Sequence, residues 1–206
     1  MSWIKQISYE KASGKLRQLY DRIKGPDNNV DNVMMVHSLR PHTMVGHMHL
    51  YKNVLHHRDN QLPRWYMELL GVYVSKLNQC DYCFEHHTAG FKRFLGDKAR
   101  AEKIMLALEG PLSSQLFDAR EKAGLLYAYQ LTRSPQELNQ KSITALQKAG
   151  FSDGEIVELN QVVSYFNYAN RTVLGLGVSI EGDIIGLSPS DITDSENWSH
   201  NYGPTN

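Results

Sequence analysis

The sequence predicts a single all-α domain with an extended tail, and three features of the chain support that prediction. Apolar residues recur at helical spacing through most of the 206 positions, which is typical of helices with one buried face. No run alternates apolar and polar residues over a convincing length, so we expect almost no β-sheet. Proline, glycine and helix-capping residues divide the pattern into segments of helical length.

The boundary residues predict the helices in chain order. Ser134 with Pro135, and the capping box at residues 152–155, indicate two of the helix starts. Residues 77–79 are typical of a turn between two helices, and residues 26–32 are typical of a loop. The predicted helices span residues 9–23, 41–57, 63–77, 80–94, 98–109, 117–133, 135–150 and 152–174.

The C-terminal part of the chain differs from the rest. Residues 178–186 are the one candidate strand or extended piece, and the following residues are rich in Ser, Asp and Asn. We therefore divide the chain into a helical domain at 1–180 and an extended polar tail at 181–206 that is not a core element. Trp198 and Tyr202 are unusual in a free tail, which predicts that the tail docks on its own subunit or on a neighbour.

Composition excludes several classes of protein. Lys plus Arg and Asp plus Glu number 22 each, and this balance argues against a nucleic-acid or membrane-surface binder. The longest apolar run is far below the ~20 residues that a membrane helix needs, and the N-terminus shows no apolar signal region. Two cysteines cannot form a disulfide framework. We expect a cytoplasmic protein without nucleic-acid or membrane partners, in which a CxxC pair is usually redox-active or metal-binding.

The cysteines Cys80 and Cys83 begin a predicted helix that also carries two histidines. At about 100° per residue, Cys80, Cys83 and His87 share one narrow face, whereas His86 points away from it. Cys83 and His87 are four residues apart, which brings their Cβ atoms to ~5–6 Å and lets the imidazole take the thiol proton. Cys80 and Cys83 lie one turn apart, within reach of a disulfide.

The helix N-terminus favours an anion, so a cysteine there beside an imidazole should have a depressed pKa. A thiolate attacks the O–O bond of a peroxide, and a second thiol condenses with the resulting sulfenic acid to give a disulfide. Glu68 precedes Cys80 by twelve residues. If the two helices fold back as a hairpin, its carboxylate could approach His87 and act as a proton relay.

Other interpretations of the same residues stay open at this point. A structural zinc ion needs four ligands, and Cys80 and Cys83 could be joined by His86 or His87 and by a histidine of residues 37–57. The cysteines could also be inert core residues, and Glu68 could be a solvated carboxylate on a helix face.

Six histidines at positions 37–57 resemble a metal cluster, but their spacing argues against one. None is paired at the i+3 or i+4 spacing of helical metal ligands. We expect a face of partly exposed histidines, for example at a subunit contact. Near the end of the last helix, Asn167, Asn170 and Arg171 are interpreted as capping or ion-pairing groups.

The spacing Glu68, eleven residues, then Cys80-x-x-Cys83-x-x-x-His87 resembles the active-site signature of the AhpD-like alkylhydroperoxidases of the carboxymuconolactone decarboxylase superfamily. Flanking segments are similar to the "peroxidase-related" subgroup, and the resemblance covers about residues 8–180. These segments are HSLRP at 37–41, LYDRI at 19–23, residues 62–94, RSPQEL at 133–138 and YFNYANRTVLGLGV at 165–178.

The resemblance implies a bundle of helical hairpins, assembled as a homo-oligomer (dimer, trimer or hexamer), that reduces hydroperoxides with thiols. By position, Cys83 would be the attacking thiolate and Cys80 its disulfide partner, exposed to an external dithiol reductant such as a lipoyl group or a thioredoxin-like protein. His87 and Glu68 would form the proton relay, and no metal, haem or flavin would be needed. Tyr82 is a site neighbour that stands where the best-studied members have a histidine.

Three alternatives compete with a peroxide substrate. The same pair could serve thiol–disulfide exchange or redox sensing, because both uses need a reactive thiol. A lactone decarboxylase of the superfamily would not depend on the cysteine pair, so its presence counts against that reaction. A helical module with a zinc site is the third alternative.

Overall fold

The computed structural model describes residues 2–110, 112, 116–194 and 196–201, and it confirms the all-α class. None of the helices in these ranges has the length and apolar character to cross a membrane. The α-helices are α1 Gly14–Ile23, α2 Asn32–Met35, α3 Pro41–Leu55, α4 Arg64–Leu77, α5 Asp81–Leu95, α6 Lys98–Ala107, α7 Ala119–Arg133, α8 Gln140–Lys148 and α9 Asp153–Leu176. Two short strands, β1 Ser188–Pro189 and β2 His200–Asn201, pair antiparallel.

Helix α4 lies at the centre of the bundle and forms a hairpin with α5. Residues 66–75 of α4 are all buried, because α5, α7 and α9 pack around it. Gly71 permits the approach of α9, since a Cβ atom there would lie 2.1 Å from the Phe166 ring. The predicted turn is present, with Gln79 at a φ of 57°, and the Cys80 N–H donates to the Ser75 carbonyl at 2.9 Å. This turn places the start of α5 beside the end of α4.

Several boundaries differ from those the sequence predicts, and the first predicted helix at 9–23 is a 3₁₀ turn at Tyr9–Lys11 followed by α1 from Gly14. The prediction of a cap at Ser134 is wrong, because its side chain makes no capping hydrogen bond and residues 135–137 form only a 3₁₀ turn. Asn139 caps α8 instead, accepting from the Lys141 N–H at 2.9 Å. The segment predicted as a loop at 26–32 runs into the short helix α2.

The C-terminal segment, residues 178–201, packs on the helices and corrects the view of the tail as lying outside the core. Trp198 is fully buried among residues of α1 and α3, and the guanidinium of Arg22 lies 3.8 Å from its ring centroid. The buried Lys52 ammonium donates to the Asp191 carbonyl. The prediction that the tail docks on its own subunit is therefore confirmed for Trp198, whereas Tyr202 lies outside the described residues. The strand or extended piece predicted at 178–186 is not a strand, since both strands lie further on.

Candidate functional site

The two cysteines occupy different positions at the start of α5. Cys80 is the N-cap residue and Cys83 lies in the first turn, and both are free thiols. Cys83 lines a cavity of about 80 Å³, and Cys80 is not among the residues that line it. Cys80 is 1% exposed and packs in a cluster with Val36, Val173 and Val178. The exposure of Cys80 that the family resemblance implies is therefore wrong for this chain.

The electrostatics of the pair also differ from the expectation. A hydrogen bond from Cys83 lowers the pKa of the Cys80 thiol, and the Asn170 side chain lowers it further. The same hydrogen bond and the burial of the side chain raise the pKa of Cys83 well above its ordinary value. Of the two thiols, Cys80 therefore has the lower pKa, at the helix cap where N–H groups favour an anion. The depressed pKa expected beside the imidazole belongs to the first cysteine and not to Cys83.

Helix α4 supplies the carboxylate that contacts the site imidazole. His87 Nδ1 donates to Glu68 Oε2 at 2.7 Å, and both side chains are largely buried, at 17% and 6% exposed. The edge-on ring of Phe166 packs against His87 with centroids 4.5 Å apart. Gly90 makes room for the carboxylate, because a Cβ atom at that position would lie 2.9 Å from its carbon. The hairpin thus forms the contact that the sequence spacing suggested.

Asn170 was interpreted from sequence as a capping or ion-pairing group, but the structure buries it beside the cysteines. It is 0% exposed, its amide donates to Ser75 Oγ at 3.1 Å, and its oxygen accepts from Asn78 at 2.9 Å. The amide also lowers the pKa values of both cysteines. A polar residue on the apolar side of α9 was the signal that could have identified it.

A second group of polar side chains lines the same cavity. The rings of Tyr82 and His86 stack at 4.6 Å, and both line the cavity with Asp31. His86 is therefore not turned away from the site, because the cavity extends across two neighbouring faces of α5. The Tyr82 hydroxyl donates at 2.5 Å to Asp183. The sequence offered no signal for Asp183, which belongs to a polar segment without periodicity.

Half of the histidines of residues 37–57 are buried, so the predicted face of partly exposed histidines is present only in part. His37, His47 and His56 are 8% exposed or less, and burial lowers the pKa of His47 to about 3. His47 contacts the hydroxyl of Tyr165 at 3.2 Å and lines the cavity. The spacing of these histidines in the sequence did not reveal that α9 and the C-terminal segment pack against α3. Only His42 among the six is fully on the surface.

The cavity is larger than a peroxide alone needs, since one water requires roughly 10–15 Å³ of comparable volume. Its apolar lining comes from α1, α2, α3, α5, α9 and the C-terminal segment. The lining includes Ile23, Met48, Tyr51, Tyr165 and Leu187. Within the described parts of the chain, no group of three or more His, Cys, Asp or Glu side chains is arranged to hold a metal ion.

Residues 41–129 match the model of the carboxymuconolactone decarboxylase family, a range that contains α3, α4 and α5. A curated relative, the uncharacterized protein YdfG of Bacillus subtilis (strain 168), is 20% identical over 120 residues, which are 58% of this chain and 79% of that protein.

Solved structures share the fold. The alkylhydroperoxidase AhpD core of an uncharacterized peroxidase-related protein from Ralstonia eutropha JMP134 superposes with a TM-score of 0.72 at 21% identity, over 86% of this chain and 91% of that chain. A peroxidase-related protein from Silicibacter sp. TM1040 gives 0.65 at 25% identity, over 73% and 76%. The debrominase Bmp8, bound to 2,3,4-tribromopyrrole, gives 0.68 at 16% identity, over 88% and 95%.

The family match covers the hairpin that carries the cysteine pair, and the fold agrees over most of the chain. The resemblance stated from the sequence is thereby supported: residues 41–129 match the carboxymuconolactone decarboxylase family, and the chain shares the fold of solved AhpD-like and peroxidase-related structures.

Proposed function

We propose that the protein is a thiol-dependent hydroperoxide reductase that uses the Cys80–Cys83 pair and an external dithiol. The observation that carries this proposal is the joint position of Cys83 and His87 in one cavity, with the imidazole held by Glu68 at 2.7 Å. A thiol, a base and a carboxylate that orients the base are the parts that an activated nucleophile needs.

The contact with Glu68 determines which nitrogen of His87 acts as the base. Because Nδ1–H donates to the carboxylate, the lone pair of the neutral ring lies on Nε2. Cys83 precedes His87 by one helical turn, and its raised pKa means that it must lose a proton before it attacks. His87 Nε2 takes that proton, and the Glu68 carboxylate stabilises the imidazolium that forms.

The sulfur chemistry then proceeds in two steps. The Cys83 thiolate attacks one oxygen of the hydroperoxide, an S–O bond forms, the O–O bond breaks, and an alkoxide leaves and takes up one proton to give the alcohol. The Cys80 thiolate attacks the sulfur of the resulting sulfenic acid, and an S–S bond forms as hydroxide leaves. That hydroxide takes the proton held by His87 and departs as water.

A dithiol completes the cycle by reducing the disulfide. The thiol with the lower pKa is the better leaving group in thiol–disulfide exchange, and here that thiol is Cys80. Attack by the reductant is therefore expected at Cys83, the cysteine that lines the cavity. A lipoyl group or a thioredoxin-like protein would supply the two electrons, and the sum is hydroperoxide plus dithiol giving alcohol, water and disulfide.

Two cysteine-to-serine variants test the proposal, because each should stop the reaction at a different step. Cys83→Ser should abolish hydroperoxide consumption, because it removes the nucleophile. Cys80→Ser should consume one equivalent and stop with a sulfenic acid on Cys83, which dimedone traps and mass spectrometry locates. Peroxide turnover by Cys83→Ser at the wild-type rate would overturn the assignment.

The same measurements separate the alternatives. A Cys83 that reacts with peroxide no faster than free cysteine, yet exchanges rapidly with disulfides, would favour the exchange or redox-sensing function. Decarboxylation of a lactone acid that survives loss of both cysteines would favour the decarboxylase. One tightly held zinc per chain would exclude a free redox pair.

A second candidate reaction is thiol-dependent debromination of a small aromatic ring. The volume of the cavity and its tyrosines, Tyr51 and Tyr165, favour an organic substrate over hydrogen peroxide, and the debrominase Bmp8 has the same fold. Release of bromide from 2,3,4-tribromopyrrole by the wild type with a dithiol, and its absence in Cys83→Ser, would support this reaction.

A further inference from the structure

Helix α5 presents two pairs of side chains to the cavity, each at i, i+4 spacing. Cys83 and His87 form the first pair, and Tyr82 and His86 form the second, about 100° further around the helix. The stacked rings of the second pair lie at 28° to each other. Four imidazoles line the cavity, those of His47, His86, His87 and His200, of which the proposed reaction uses only His87. Burial lowers the pKa of His47 to about 3 and that of His200 to about 4, which leaves His86 as the second candidate acid.

The C-terminal segment and α2 hold the second pair through one carboxylate. Asp183 accepts from the Tyr82 hydroxyl at 2.5 Å and from the Asn32 N–H at 3.0 Å. The Val33 N–H donates to the Tyr82 oxygen at 3.2 Å, so the hydroxyl both donates and accepts. Asp183 Oδ2 lies 3.6 Å from His86 Nε2, and the carboxylate side chain is only 2% exposed. His86 therefore faces a fixed carboxylate, as His87 does.

Two polar atoms of this group are buried without a hydrogen-bond partner among the described residues. They are His86 Nε2 and Asp31 Oδ1, and both side chains line the cavity. Burial raises the pKa of Asp31 to about 6, an effect that the nearby His86 charge opposes and the Asp183 charge reinforces. Because unpaired buried polar atoms are uncommon in proteins, we expect a polar group of the substrate to contact them.

The proposed reaction requires a proton donor that Glu68 and His87 do not provide in the first step. His87 holds the proton of Cys83 at the moment when the O–O bond breaks, and that proton leaves later with hydroxide. The alkoxide needs its own proton at the same moment. Tyr82 is a poor candidate, because burial raises its pKa well above the ordinary value and its hydroxyl already donates to Asp183.

We propose that His86 is a second catalytic residue, which protonates the leaving oxygen of the hydroperoxide while Asp183 of the C-terminal segment positions it. This inference rests on the proposed reductase function. As the Cys83–oxygen bond forms and the O–O bond breaks, the imidazolium of His86 transfers its proton to the alkoxide, and the neutral ring recovers a proton from solvent.

The test compares peroxides whose leaving groups differ in basicity. tert-Butyl hydroperoxide expels a strongly basic alkoxide, whereas peracetic acid expels a weakly basic carboxylate that needs no proton. His86→Asn should slow oxidation of Cys83 by tert-butyl hydroperoxide by about 100-fold, in the range typical of a general acid. Oxidation by peracetic acid should change less than about threefold by the same reasoning. Asp183→Asn should also slow oxidation by tert-butyl hydroperoxide more than oxidation by peracetic acid, but with a smaller loss of rate than His86→Asn.

Alkylation of Cys83 by iodoacetamide is the control, because it needs a reactive thiol and no leaving-group proton from the protein. Its rate should be unchanged in His86→Asn. If His86→Asn slowed Cys83 oxidation equally for the two peroxides, or for neither of them, the assignment of His86 would be overturned. His86→Gln serves as a second variant if His86→Asn does not fold. If the wild type reacts with iodoacetamide but with neither peroxide, the reductase function itself fails, which is a distinguishable result.

Discussion

The α4–α5 hairpin and the C-terminal segment at 178–201 contribute to the same cavity in different ways. In the hairpin, the carboxylate and the imidazole that it holds are 19 positions apart and meet across one tight turn. In the C-terminal segment, Asp183 lies 101 positions from the tyrosine that it binds. The hairpin depends on helical periodicity, whereas the C-terminal segment depends on individual polar contacts and one buried tryptophan.

The spacing from Glu68 to His87 therefore describes only part of the residues that line the cavity. Spacing within a helix or across a short turn constrains which side chains meet, because the backbone geometry is regular. A segment without regular structure is held where it makes specific contacts, such as the Arg93 guanidinium bound to the Gly186 carbonyl at 2.6 Å. Perturbing each region separately should therefore give different results.

Removal of Trp198 should give the largest loss of stability. The ring is fully buried and contacts the guanidinium of Arg22 and the edge of His49. Trp198→Ala should lower the free energy of unfolding by about 3–5 kcal/mol, measured by urea denaturation. The matched control is Trp3→Ala, since that ring is 79% exposed. A loss below about 1 kcal/mol would show that the C-terminal segment is not part of the cooperative core.

Asp31→Asn should stabilise the protein above pH 6. Burial raises the pKa of the carboxyl from 3.8 to about 6, so the folded state binds the proton more tightly than the unfolded state. The free energy of unfolding of the wild type therefore falls as the pH rises from about 4 to about 6. The amide of Asp31→Asn stays neutral and avoids this loss, which is at most about 3 kcal/mol. Urea denaturation at pH 4 and pH 8 measures the difference, which should vanish at pH 4.

The exposed Asp59, whose side chain is 76% accessible, provides the control for this experiment. Asp59→Asn should change the free energy of unfolding by less than about 0.5 kcal/mol at either pH. A destabilisation by Asp31→Asn at pH 8 would mean that its carboxylate is favourably bound in the folded state.

Glu68→Gln should lower the rate of Cys83 oxidation by about 100-fold, equivalent to about 2.7 kcal/mol. The amide keeps the size of the side chain but removes the charge that stabilises the imidazolium of His87. Gly90→Ala should lower the same rate without removing any functional group, because its Cβ atom would displace the carboxylate. Stopped-flow measurement of Cys83 oxidation gives both rates.

Gly175→Ala is the control for the glycine variant, since a Cβ atom there meets nothing within 4 Å. Its oxidation rate should equal that of the wild type. A Gly90→Ala protein with the wild-type rate would show that the position of the Glu68 carboxylate is not important for the reaction.

Gly186→Ala should have the smallest effect and should act on the C-terminal segment alone. The residue has a φ of +84°, and its Cβ atom would lie 2.6 Å from that of Ala89 in α5. A positive φ costs about 1–2 kcal/mol for alanine. The clash with Ala89 would in addition displace the C-terminal segment from α5. Hydrogen exchange should become faster at residues 184–190 and remain unchanged in α4.

Gly182→Ala separates strain from contact, because Gly182 has a φ of +88° but its Cβ atom would meet nothing within 4 Å. The backbone strain should destabilise the Gly182→Ala variant without making hydrogen exchange faster around residue 186. If hydrogen exchange around residue 186 were equally fast in Gly186→Ala and Gly182→Ala, the packing of Gly186 on Ala89 would not be what holds the segment.

The predictions from sequence succeeded where the determinants are local. Hydrophobic periodicity located most helices of the described chain to within a few residues, and the turn at residues 77–79 has the expected place. The close approach of Glu68 to His87 follows from two helices and one turn. The sequence-based assignment of the helix cap at Ser134 was wrong, because Asn139 binds the free N–H group instead.

The predictions failed where distant segments decide the environment of a side chain. The histidines of residues 37–57 were expected to form a partly exposed face, but α9 covers His47. Position within the signature suggested an exposed Cys80, but Val173 and Val178 pack against it. Neither covering segment is close in sequence to the residue that it buries.

The amino-acid sequence by itself determined the helices, the α4–α5 hairpin and the register that puts Cys83 and His87 on one helical face. These features depend on backbone geometry and on neighbours within a few turns. Only the tertiary structure decided that the thiol of Cys80 is buried and has the lowered pKa. It alone decided that Asp183 binds Tyr82 beside His86. Burial and electrostatic environment depend on which distant segments pack around a residue, and no local pattern encodes that packing.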